Sequence, residues 1–153
     1  MKINFDKLLK EVKKILNSNT NKNDKLQGIC KLLKNKIPYY DWVGFYLVNP
    51  GGNKELLLGP YEGEPTIHER ISFGEGICGQ AADKKVTFVV RDVKNEKNYL
   101  SCSPDVKSEI VVPIFQVDDV IGELDIDSHT RDAFRIEDKN FLEAVSREVS
   151  RFL

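Results

Sequence analysis

Residues 108–128 read SEIVVPIFQVDDVIGELDIDS, and this stretch decides the architecture. The apolar run Ile110 to Phe115 has the length and β-branched content of a buried strand. Val117–Asp119 supplies a polar turn, and a second strand follows through Asp127. Two such runs around a short turn form an antiparallel hairpin. On the second strand Leu124 and Ile126 point one way, while Asp125 and Asp127 point the other. If the hairpin turns near Val117–Asp119, Glu109 reaches the level of these two aspartates on the neighbouring strand. Such acids are compatible with a solvated edge and equally with a ligand-facing patch. A patch of three would suit a ligand bearing an ammonium group, and crowding would raise at least one pKa so that a protonated carboxyl can act as an acid.

Working outward, YDWVGFYLVN and KELLLGPYEG flank the turn PGG and predict a first hairpin. On its first strand Val43, Phe45 and Leu47 read as core. Trp42, Gly44 and Tyr46 lie on the opposite face, an aromatic wall with a bare spot at the glycine, or else ordinary core filling. Residues 61–85 read as irregular, with GEGICGQAADKK leading into a short helix. VTFVV is a further strand and residues 92–107 a long polar loop. Phe5, Leu8, Leu9, Val12, Ile15 and Leu16 recur at helical spacing. A second helix, opened by Asp24 with Gln27 as a capping box, is closed by Pro38. Phe141, Leu142, Val145, Val149 and Phe152 define a C-terminal helix. The expected class is α+β: a mostly antiparallel sheet, with N- and C-terminal helices on one face and a loop-covered pocket on the other. One domain over 1–153 is expected, with 1–20 an N-terminal helix and 22–153 the core.

The bulk composition narrows the function. A formal net charge of −1 over 153 residues argues against nucleic acid or an anionic membrane as partner. The N-terminus lacks the apolar core of a signal peptide, and no apolar run approaches a membrane span, so a cytoplasmic protein is expected. Three cysteines in a reducing compartment do not read as a disulfide framework. Cys30 falls on the apolar face of the second helix. Cys78 lies between glycines at a helix start, where backbone N–H groups can stabilise a thiolate. Cys102 sits in a polar loop, seven residues before Glu109. No His/Cys set has metal-site spacing, so no metal and no cofactor is expected. His68 and His129 read as surface residues.

Taken together, DWVGFYL, LLLGPYEGEP, GEGICGQAA, SCSPDVKSEIVVPIF and VIGELDIDS, in this order, resemble the GAF-domain free methionine-(R)-sulfoxide reductases. The resemblance covers about residues 22–152 and implies a single GAF domain. It implies reduction of free methionine-(R)-sulfoxide, with Cys102 as nucleophile and Cys78 as the thiol that resolves its sulfenic acid to a disulfide. It assigns Trp42 and Tyr46 to the methyl-sulfoxide end of the substrate. Glu109, Asp125 and Asp127 fall to the sulfoxide oxygen and the amino group, with Glu109 and Asp127 also catalytic. Thioredoxin or a similar dithiol would reduce the disulfide. The family's third cysteine is His68 here, which leaves the resolving role to Cys78 or to an external thiol. A GAF module that binds a methionine-like molecule without catalysis is the alternative. Dimerisation through the terminal helices stays open.

Overall fold

The computed structural model describes residues 2–100 and 103–153. Helix α1 spans Phe5–Leu16 and α2 Lys22–Lys36; strands β1 (Trp42–Val48) and β2 (Glu55–Glu62) follow. Next come β3 (Arg70–Ser72), α3 (Gly76–Lys84), β4 (Phe88–Val90), β5 (Ser108–Gln116), β6 (Asp119–Ser128) and α4 (Ile136–Ser150). The strands form one six-stranded sheet in the order β3-β2-β1-β6-β5-β4, with each neighbouring pair antiparallel. The fold is therefore a single α+β domain. No helix among the described residues is long and apolar enough to cross a membrane.

Three local expectations are corrected. The cap of α2 is Asn21, whose side chain accepts from the Asp24 amide at 2.8 Å. Asp24 sits instead in the first turn, where its charge complements the helix N-terminus. The first hairpin turns through residues 49–54, with Gly52 and Lys54 at positive φ, a longer loop than the PGG triplet suggests. The insert 61–85 contains the short edge strand β3, which pairs with β2 through Leu56 opposite Ile71. So short a strand carries too little pattern to be read from sequence.

Sheet residues alternate between two layers. Val43, Phe45, Ile110, Val112, Leu124 and Ile126 join Val12, Leu26, Leu33, Leu142 and Val145 in a core beneath the helices. On the other face Trp42, Tyr46, Val111 and Val120 pack with Ile77, Cys78, Ala81 and Ala82 under α3. Asp138 fastens α4 to the start of β1: the hydroxyls of Tyr39 and Tyr40 both donate to its Oδ1, at 2.8 and 2.7 Å.

Candidate active site

The site is built on three central strands and roofed by α3. Strand β6 lies between β1 and β5, and its register defines rows of facing side chains. Trp42 and Glu109 flank Asp127, Gly44 and Val111 flank Asp125, and Tyr46 and Pro113 flank Glu123. All members of a row share a sheet face, so three acids of one strand line up along its middle. The structure brings Glu109, Asp125 and Asp127 together, and it adds Glu123. That fourth carboxyl went unread in the sequence although the period of two that singles out Asp125 and Asp127 includes it. Glu109 is 5% exposed, Asp125 and Asp127 2%, and Glu123 0%.

Gly44 has a role different from the bare spot expected. A Cβ there would lie 2.3 Å from Cη2 of Trp42, so the glycine seats the indole, which stacks on Tyr61 at a centroid distance of 5.3 Å. The Trp42 Nε1–H donates to the Glu64 carbonyl at 3.0 Å, and the Tyr46 hydroxyl donates to the His68 carbonyl at 2.8 Å. These two bonds lay the segment after β2 over the sheet. His68 is thereby brought to the site rather than the surface, half-buried and lining the same cavity as Tyr46 and Cys78. His129 is exposed and stands 3.8 Å from Asp41.

Cys78 is the third residue of α3. Gly76 opens that helix at φ 63°, with Leu100 Cγ 2.8 Å from where a Cβ would be. Asn98 clamps the approach, accepting from the Gly76 amide at 2.9 Å and donating to the Gly74 carbonyl at 2.8 Å. The cavity under this cover is lined by Tyr46, Ile71, Cys78, Leu100, Glu109 and Asp125 among others and measures ≈ 10 Å³. That is room for about one water, so an amino acid enters only when the cover shifts. Two surface grooves, each ≈ 750 Å³, lie over α1 and α4 and beside the start of α2, and neither is lined by these acids.

The electrostatics are dominated by burial. It raises the pKa of Asp125, against which hydrogen bonding with Glu109 and Cys78 works. Burial and then the Asp125 charge raise Asp127 and Glu123 well above the usual carboxylate range. Two carboxyls can hydrogen-bond only when one holds a proton, which agrees with the raised pKa of Asp125 and of Asp127. Oδ1 of Asp125 and of Asp127 has no hydrogen-bond partner among the described residues, and the Glu123 oxygens have none beyond the neighbouring Cys78 thiol. The Cys78 thiol is pushed well up, first by burial and then by Asp125, Glu123, Glu109 and Asp127. This reverses the thiolate expected from its place at a helix start: burial among four carboxyls outweighs the dipole of a short helix. Cys30 is also pushed well up by burial, and its thiol donates to the Pro60 carbonyl at 3.5 Å. Cys102 lies outside the described residues.

Comparison with known proteins identifies the family. The family model described as GAF domain matches residues 21–153. The chain is 35% identical over 138 residues to GAF domain-containing protein A of Dictyostelium discoideum, covering 90% of this chain and 85% of that one. It is 31% identical over 128 residues to the free methionine-R-sulfoxide reductase of Escherichia coli, covering 84% and 75% respectively. The solved structure of free methionine-R-sulfoxide reductase from Neisseria meningitidis, in complex with its substrate, superposes with a TM-score of 0.90. That match has 34% identity and covers 97% of this chain and 87% of that one.

Proposed function

The chain belongs to the GAF-domain family and, within it, to the free methionine-R-sulfoxide reductases, and on that footing we infer that it reduces free methionine-(R)-sulfoxide to methionine. The observation that carries the reading is the buried meeting of a thiol and carboxyls. Ligand atoms of Cys78, Glu109 and Asp125 all lie within 4.8 Å of one another, beside the aromatic wall of Trp42 and Tyr46.

In this reading the ammonium group of the substrate supplies the positive charge that the acids lack, and Trp42 and Tyr46 receive the methyl-sulfoxide end. Cys102 attacks the sulfoxide sulfur while a protonated carboxyl, Glu109 or Asp127, delivers its proton to the oxygen. The hydroxyl then passes from the substrate sulfur to Cys102 as the bond between the two sulfurs breaks, so methionine leaves and Cys102 is oxidised to a sulfenic acid. Cys78 then attacks that sulfur; a disulfide forms and water departs with the Cys78 proton. The high pKa of the Cys78 thiol means that one of the surrounding carboxylates relays this proton to the departing hydroxyl as the bond forms, and the acid spent in the first step takes its proton back from solvent. A thioredoxin-type dithiol reduces the disulfide, consistent with work in the reducing cytosol.

The test is a single turnover. The reduced protein is mixed with free methionine-(R)-sulfoxide and no reductant, and methionine formed and thiols lost are counted. About one methionine and two thiols per chain, with both abolished by Cys102→Ser and thiol loss reduced to one by Cys78→Ser, is the expected result. Binding of the sulfoxide without methionine, even with excess dithiol, would leave a GAF module that holds its ligand without reacting.

A further inference from the structure

We propose that Cys78, Glu109 and Asp125 also form a binding site for a divalent cation of the zinc class, in the place that the substrate's ammonium group takes. The three residues come from α3, β5 and β6. They are 5%, 5% and 2% exposed, and one ligand atom of each lies within 4.8 Å of the other two. Zinc–sulfur and zinc–oxygen distances of about 2.3 and 2.0 Å set tetrahedral donors about 3.3–3.5 Å apart. Side chains already within 4.8 Å reach that spacing by closing at most about 1.5 Å.

Charge is the second, independent observation. Asp125 Oδ1 and Asp127 Oδ1 are buried without a partner, the Glu123 oxygens have none beyond the neighbouring Cys78 thiol, and no Lys or Arg lines the cavity among the described residues. Buried carboxyls that share hydrogen bonds but no positive charge gain in a low dielectric from any cation that can enter, and a divalent ion answers more of them than one ammonium does. The donor set then selects the ion. A thiolate with carboxylates suits zinc or cobalt, whereas magnesium and calcium take six or more oxygens and keep waters. Binding exchanges the Cys78 proton for the metal, so the resolving sulfur is held and the ammonium subsite filled together. Sequence spacing gives no warning of the site because its donors lie on three separate elements.

The binding half stands on the geometry and charge of the site, and only its kinetic consequence rests on the reductase reading. Zinc chloride is titrated calorimetrically into reduced, chelator-stripped protein, and cobalt(II) is added to a second sample. One zinc per chain is expected, with a thiolate-to-cobalt charge-transfer band. Cys78→Ser should abolish the band and weaken zinc at least about 100-fold, Asp125→Asn should weaken it comparably, and Cys30→Ser should leave it unchanged. Free methionine-(R)-sulfoxide should raise the apparent zinc dissociation constant, and zinc should raise the KM for the sulfoxide without lowering kcat. Zinc binding that survives Cys78→Ser with near-ultraviolet circular dichroism intact overturns the site, as does magnesium binding as tight as zinc. If a variant fails to fold, the cobalt band on the unmodified chain still decides: its presence supports a thiolate ligand, and its absence overturns the site. Zinc held through Cys78 by a chain that reduces no sulfoxide supports the site while refuting the reductase reading.

Discussion

The two faces of the central sheet are equally dry and chemically opposite. On β6, Leu124 and Ile126 face the helices at 0% exposure, while Glu123, Asp125 and Asp127 face α3 at 0–2%. The helix side is a closed hydrocarbon core, and burial there stabilises the fold. On the α3 side the same burial opposes folding, because carboxyls lose their hydration and find few donors. Burial alone therefore does not report what a face is for. Polar groups held without partners mark the side that has been shaped for something other than stability.

Substitutions on the two faces should separate these roles. The largest effect is expected at Asp127→Asn, which keeps the shape and removes the proton. Single-turnover methionine formation should fall by about 10²–10⁴-fold while the urea midpoint stays level or rises. Because burial raises the Asp127 pKa, the rate of the unmodified chain should decline as pH climbs through that raised value, and the variant should lose this limb. An unchanged pH profile would remove Asp127 as a proton donor.

On the opposite face, Leu124→Ala leaves a cavity in the helix-side core and should cost about 2–5 kcal/mol of unfolding free energy. The KM for the sulfoxide should stay near that of the parent at temperatures where the variant is folded. A KM shift as large as the stability loss would show that the faces are coupled rather than separate.

The smallest effect has the opposite sign. Glu123→Leu places an apolar side chain between Tyr46 and Pro113 and should stabilise the chain by about 1–3 kcal/mol at neutral pH. Burial raises the Glu123 pKa, so the folded chain holds this proton more tightly than the unfolded chain does. The cost of the group's charge is absent below the ordinary carboxylate range and grows as pH rises towards the raised value. The stabilisation by leucine should therefore fade in acid and widen in alkali, as read from melting temperatures across pH. A gain that is flat with pH would mean that packing, and not charge, sets it.

Periodicity alone was enough for the α+β class, the pairing of β5 with β6, and the partition of Leu124 and Ile126 from Asp125 and Asp127. Side-chain direction in a strand follows from a repeat of two, and apolar spacing in α1 and α4 from one of 3.6. The motif order from Trp42 to Ser128 carried the family. Tertiary structure decided the rest. Whether acids on a strand face water or a lid depends on what covers them, and α3 reaches β5 and β6 from a distant part of the chain. That cover buries Glu123 and reverses the expected ease of ionising Cys78, while the Tyr46 hydroxyl of β1 holds His68 to the site by its carbonyl. Gly44 likewise could be read as open only until the Trp42 indole was seen to lie across it. Local patterns record which way a side chain points; its dielectric and its neighbours come from segments distant in sequence, and these set a proton's affinity.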